Sequence, residues 1–82
     1  MARISAERYI RIRALVEDGK IGVGSPQHLD AIQWELNARN ASPRDQRILK
    51  LAIQGYTHEQ IAHHVQLTRS SVSRILRKFF GA

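Results

Sequence analysis

The chain has no cysteine and no long hydrophobic run, and both absences limit the classes of protein to which it can belong. Without cysteine there is neither a disulfide framework nor a thiolate metal site. No segment approaches the roughly 20 apolar residues of a membrane-spanning helix, and the N-terminus lacks the apolar core of a signal peptide. A chain of 82 residues also leaves little room for an enzyme cleft. We therefore expect one small cytoplasmic protein that is not an enzyme.

Acidic residues are scarce in the second half of the chain. Residues 42–82 carry seven lysines and arginines against two acids, whereas residues 1–41 carry six against five. Nearly all of the net charge of +6 therefore lies in the C-terminal half. Such a distribution favours a polyanionic partner, most often nucleic acid, with a merely solvated basic surface as the alternative. The hydrophobic content of 43% is enough for a packed core.

Capping residues divide the N-terminal half into two predicted helices. The first follows Ser5 and can end at Gly19. Its apolar residues recur at helical spacing: Tyr9, Ile12, Leu15 and Val16. Residues 20–25, KIGVGS, predict a linker. The second helix begins at Ser25, with Pro26 in its first turn, and can close at Asn40.

The second helix carries an apolar stripe that we expect to be buried. Leu29, Ile32 and Leu36 form this stripe at helical spacing. Trp34 lies at the margin of the stripe, and we expect it to be a core residue rather than a platform for a ligand.

Three more helices are predicted in the C-terminal half. The third has Ser42 as its cap, Pro43 in its first position, Asp45 as the partner in a capping box, and Gly55 as its stop. Its buried face is predicted to be Ile48, Leu49, Ala52 and Ile53. Thr57 and Thr68 are the predicted caps of the fourth and fifth helices, and the fifth is expected to bury Val72, Ile75, Leu76 and Phe79. No stretch alternates like a strand, so the sequence predicts an all-α fold of about five helices.

The segment HEQIAHH, residues 58–64, looks at first like the HExxH motif of zinc proteases. That motif needs two histidines four residues apart on one helix face. The residue four positions after His58 is Ala62, and His63 lies about 140° away around the helix. His64 diverges further. We therefore expect no metal site and no cofactor.

The same region fits a helix-turn-helix. Ala62 provides the small residue needed where the two helices cross, and Gln66 stands where the chain must turn, a place most often taken by glycine. The apolar residues that would lock the helices together are Ile61, Val65, Leu67, Val72 and Ile75.

Residues 42–79 resemble the DNA-binding domain of LuxR/GerE-type regulators and are similar to region four of bacterial sigma factors. The matching elements are Ser42-Pro43-Arg44-Asp45, Ile48-Leu49-Lys50-Leu51, Gly55-Tyr56-Thr57, Ile61-Ala62 and Thr68-Arg69-Ser70-Ser71-Val72. Resolvase, transposase and plasmid-regulator modules share the pattern. The resemblance implies a tri-helical helix-turn-helix core that binds double-stranded DNA.

The fifth helix is predicted to supply most of the DNA contacts. If its apolar residues face inward, its polar residues near the N-terminal end face the major groove. We expect base contacts from Arg69, Ser70, Ser73 and Arg74, and phosphate contacts from Arg77 and Lys78.

Residues outside the fifth helix are predicted to touch the DNA backbone. Thr57 and Thr68 cap helices whose N–H groups can also hold a phosphate. Tyr56, His58 and Gln60 either touch the backbone or are solvent-exposed without a partner. Flanking phosphate contacts are predicted for Arg44, Arg47 and Lys50.

These features predict two segments and one function. Residues 1–40 form a helical segment that braces the motif or mediates dimerisation, and residues 42–82 form the DNA-binding domain. The expected function is a nucleoid-associated prokaryotic transcription regulator, with repression the simplest mechanism, acting as a homodimer or as several copies on repeated sites. The alternatives are the DNA-binding arm of a recombinase, transposase or plasmid-maintenance system, and a helical protein-interaction module. No small-molecule ligand is evident from the sequence.

Overall fold

The computed structural model describes residues 4–81, which form five α-helices and no strand. The helices are α1 (Ala6–Glu17), α2 (Pro26–Arg39), α3 (Pro43–Ile53), α4 (His58–Val65) and α5 (Arg69–Phe79). The predicted all-α fold is therefore confirmed. The outer ends of the two predicted segments, with Arg3 and Ala82, lie outside the described residues.

Every helix begins at the serine or threonine that the sequence predicts. The caps are Ser5, Ser25, Ser42, Thr57 and Thr68. Each cap oxygen accepts a hydrogen bond from the backbone N–H three residues later, which satisfies one of the free donors at a helix start. Because these contacts are local, the helix starts can be read from the sequence.

The capping box predicted for α3 forms only in part. Ser42 Oγ accepts from the Asp45 N–H, but the Asp45 carboxylate pairs with Arg44 Nε at 3.3 Å. The complete box lies in α4, where Gln60 Oε1 also accepts from the Thr57 N–H at 2.9 Å.

Helix α3 is the centre of the fold because it contacts each of the other four helices. Its Ile48 and Leu49 are buried, together with Ile61 of α4 and Val72 of α5. Helices α3, α4 and α5 all contact one another and form the predicted tri-helical core. Helices α1 and α2 pack against each other and against α3.

The apolar stripe of α2 that was expected to be buried lies outside the core, and Ile32, its third member, is only partly buried. Leu29 is 53% exposed and Leu36 is 47% exposed, whereas Ala31 is fully buried and Trp34 is only 6% exposed. The two leucines lie about 140° and 200° around the helix from Trp34, on the opposite side. Both faces of α2 carry apolar residues, so helical spacing alone does not say which of them packs. Burying Trp34 removes the larger apolar surface from water, so the Trp34 face of α2 packs against the core.

Trp34 joins α2 to both ends of the chain. Its ring centroid lies 4.4 Å from that of Tyr9 in α1 and 4.8 Å from that of Phe80, onto which it stacks. Its indole N–H donates to the Phe79 carbonyl at 2.8 Å. Beside this cluster, the Gly81 N–H donates to the Ile4 carbonyl at 2.8 Å. Trp34 is thus a core residue, as predicted, and the burial of Phe80 is an addition that the sequence pattern did not reveal.

None of the helices within residues 4–81 has the length and apolar character needed to cross a membrane.

Candidate nucleic-acid interface

Helices α4 and α5 form a helix-turn-helix unit with a tight connection. Gln66, Leu67 and Thr68 join the two helices. Gln66 is left-handed, with φ 58° and ψ 42°, and the Leu67 N–H donates to the Ala62 carbonyl at 3.0 Å. Ala62 is buried, as expected of a small residue at a helix crossing. The sequence therefore located the turn correctly, even though glycine is absent from it.

Helix α5 has an apolar inner face and a polar outer face. Val72, Ile75 and Leu76 are buried, and Phe79 is partly buried. The outer face is a shallow concave surface lined by Arg69, Ser70, Ser73, Arg74 and Arg77. The four predicted base-contact residues and Arg77, a predicted phosphate contact, are thereby brought together on one side of one helix. This set is the α5 outer face.

The α5 outer face carries positively charged side chains, and the sequence around it contains no acidic residue. No aspartate or glutamate follows Glu59 in the chain. The salt bridges within residues 4–81 use Arg8, Arg13 and Arg44, all of which precede α4. Arg69 and Arg74 are exposed, and their side chains form no hydrogen bond or salt bridge with other described residues. Their guanidinium groups are therefore available to an external anion or base edge.

Ser73 is held by a side chain from α4. His58 Nδ1 lies 2.8 Å from Ser73 Oγ, and Ser73 is partly buried. His58 is exposed but has a partner, so it is not the solvent-exposed residue without a partner that was one of its two readings, and its contact with the DNA backbone stays a prediction. No local pattern could have indicated this bond, because the two residues are fifteen positions apart on different helices.

The threonine caps and Gln60 are engaged within the protein. Thr57 Oγ1 accepts from the Gln60 N–H, and the Gln60 amide oxygen accepts in return from the Thr57 N–H. Thr68 Oγ1 accepts from the Ser71 N–H and donates to Ser71 Oγ at 2.9 Å. These side chains hold the starts of α4 and α5 in place beside the α5 outer face.

The three basic residues of α3 are all exposed. Arg44 pairs with Asp45, and Lys50 lines a groove with Trp34 and Arg39 of α2. The flanking phosphate contacts of Arg44, Arg47 and Lys50 stay a prediction.

The histidines do not gather into a ligand set. Across residues 4–81 there is no group of three or more His, Asp or Glu residues able to hold a metal ion. His64 instead meets the ring of Tyr56 edge-on, with centroids 5.7 Å apart.

Comparisons of the chain with known protein families, with curated proteins and with solved structures found no match. The resemblance to LuxR/GerE-type domains remains a prediction from the sequence.

Proposed function

We propose that this chain is a sequence-specific double-stranded DNA-binding domain of a transcription regulator, with α5 as the helix that enters the major groove. The α5 outer face is the observation that supports this proposal most strongly. It presents arginine and serine side chains near the start of a helix that a second helix braces from behind. This is the arrangement by which helix-turn-helix proteins read base edges.

The roles within the α5 outer face follow from side-chain chemistry. Arg69 and Arg74 can each donate two parallel hydrogen bonds to O6 and N7 of a guanine. Ser70 can donate to a base or accept from one. Ser73 has less freedom, since His58 already engages its hydroxyl. Arg77 and Lys78, in the last turn of α5, suit phosphate contacts.

Contacts to the DNA backbone would come from the elements around α5. Arg44 and Arg47 on α3 suit flanking phosphates, and the capped N-terminus of α4 offers backbone N–H groups to another. One such unit covers limited DNA surface, so useful specificity requires two or more copies on repeated or palindromic half-sites. A regulator bound in this way represses most simply by occluding a promoter.

The test is selection from a random-sequence duplex pool, followed by affinity measurements on the enriched site. We expect a short motif to be enriched, and Arg74→Ala to weaken binding to it by about 5- to 150-fold, the equivalent of roughly 1–3 kcal/mol per bidentate arginine. The matched control is Arg11→Ala, which removes the same charge from an exposed position of α1 and should leave affinity within about twofold.

Two outcomes would contradict this proposal. If no motif is enriched and affinity falls equally steeply with salt on every duplex, the basic half acts only through its charge. If Arg11→Ala and Arg74→Ala weaken binding equally, α5 is not the reading helix. A protein-interaction module is disfavoured because the exposed large apolar side chains of the described residues lie outside α5.

A further inference from the structure

A groove on the N-terminal side of the molecule has the features of a ligand site. It is a shallow groove, largely open to solvent, that lies between α1, α2 and α3 and has a volume of about 470 Å³. Trp34, Ala38, Leu49 and Ile53 supply its apolar lining. Small-molecule sites are mostly apolar clefts of roughly 300–1,000 Å³ with a few polar groups at fixed positions. We call this feature the α1–α3 groove.

Two basic side chains that line the α1–α3 groove form no salt bridge with the other described residues. Arg39 of α2 and Lys50 of α3 both line it and are both exposed. Neither side chain forms a hydrogen bond or salt bridge within residues 4–81. A charged group in a predominantly apolar groove, with no acid bound to it, is complementary to an anion.

The acid in the same groove is already engaged. Glu35 Oε1 accepts a hydrogen bond from the Tyr9 hydroxyl at 2.5 Å and pairs with the Arg13 guanidinium. The charge of Arg13 offsets that of Glu35, so the groove keeps the net positive charge of Arg39 and Lys50. An uncharged or cationic guest would leave this charge unmatched.

We propose that the α1–α3 groove binds an amphiphilic organic anion, namely a molecule with an apolar body and one carboxylate or sulfonate. The apolar body lies against the partly buried Ala38 and Ile53 and the small exposed parts of Trp34 and Leu49. The anionic group accepts hydrogen bonds from Arg39 and Lys50. Because Trp34 also donates to the Phe79 carbonyl, an occupant contacts the residue that holds the C-terminal end of α5. The proposal concerns binding at the groove and does not depend on the proposed DNA-binding function.

The test uses 1-anilinonaphthalene-8-sulfonate as a fluorescent probe of the full chain in the absence of DNA. We expect saturable binding of one equivalent, with displacement by octanoate but not by 1-octanol, which has the same apolar chain without the charge. The variant Arg39→Gln/Lys50→Gln should weaken probe binding by at least about tenfold, as loss of two charge-assisted hydrogen bonds predicts.

The matched control is Arg11→Gln/Lys20→Gln, which removes the same two charges from exposed positions that do not line the groove. It should change affinity by less than about twofold, because exposed charges at a distance are screened by salt. Thermal melts of both variants should coincide with that of the parent chain. Equal affinities for the two variants, displacement by octanol as effective as that by octanoate, or no saturable binding by the parent chain would each overturn the proposal.

Discussion

At the scale of the residue, the Tyr9 hydroxyl has a strongly raised pKa. Burial raises the pKa of Tyr9 to about 12, with further contributions from the hydrogen bond to Glu35 and from its negative charge. Burial alone would raise the pKa of Glu35 as well. The hydrogen bonds from Tyr9 and Arg13, with the charges of Arg13 and Arg39, outweigh that effect and hold the pKa of Glu35 below its ordinary value.

Spectrophotometric titration of a Tyr56→Phe variant can isolate Tyr9, because the chain has two tyrosines. We expect Tyr9 to ionise at a pH of about 12 in this variant. In a Tyr56→Phe/Glu35→Gln variant its pKa should fall but stay above the ordinary value of about 10, since the carboxylate no longer opposes ionisation while burial, the largest cause, remains. Ionisation near the ordinary pH in the presence of Glu35, or no difference between the variants, would contradict the contact.

The raised pKa of Tyr9 determines how the free energy of unfolding changes at alkaline pH. The folded-state pKa of Tyr9 lies above the unfolded one, so the unfolded chain loses this proton first. The stabilisation is therefore fully present below a pH of about 10 and is lost as the pH rises toward the folded-state value. For Glu35 the sign is opposite, and its contribution is lost as the solution becomes acidic through its lowered pKa.

At the scale of the element, the turn between α4 and α5 carries the only left-handed residue other than glycine within residues 4–81. Gln66 occupies this position at the C-cap of α4, and its φ of 58° is one that a side chain disfavours. The turn must nevertheless be made there, because Ala62, Val72 and their neighbours bring α4 and α5 together on either side of it.

Gln66→Gly should raise the free energy of unfolding by up to about 1 kcal/mol, since glycine adopts the left-handed conformation without steric cost. Urea denaturation followed by circular dichroism would measure the change. The matched control is Gln54→Gly at the C-cap of α3, where φ is −75° and glycine relieves nothing. A gain of equal size in the control would show that the backbone conformation of Gln66 is not the cause.

At the scale of the whole molecule, Trp34 connects the N-terminal helices to the helix-turn-helix. Its indole ring packs against Tyr9 and stacks on Phe80, while its N–H donates to the Phe79 carbonyl at the end of α5. The buried residues from Ile4 to Phe80 form one cluster, in which helices α1 and α2 take part beside α3, α4 and α5. The division into segments 1–40 and 42–82 stays a prediction, but the contacts show that both segments share this cluster.

Substitutions on the two faces of α2 should therefore change the free energy of unfolding by very different amounts. Trp34→Ala should lower the free energy of unfolding by about 3–5 kcal/mol, as deletion of a buried aromatic side chain does. Leu36→Gln should change it by no more than about 0.5 kcal/mol, as expected at an exposed position. If Trp34→Ala does not fold, Trp34→Phe keeps a ring but removes the bond to Phe79, and a smaller loss is expected. A larger loss for Leu36→Gln than for Trp34→Phe would contradict the observed packing.

The sequence by itself determined the features that depend on residues close together in the chain. Helix starts follow from caps that bond to the backbone three residues later, and the stops at Gly19 and Gly55 follow from their left-handed conformations. The two faces of α5 follow in the same way from helical spacing against a single apolar stripe. For these reasons the five helices, the turn at Gln66 and all five residues of the α5 outer face could be predicted.

Only the tertiary structure decided the features that depend on residues far apart in the chain. In α2 the Trp34 face is buried and the leucine face is exposed, because residues of α1 and the end of α5 pack against Trp34. It paired His58 with Ser73, and it placed Lys50 in the lining of the α1–α3 groove. Each of these outcomes depends on how helices pack against one another, and a helical period in one segment carries no information about its partner.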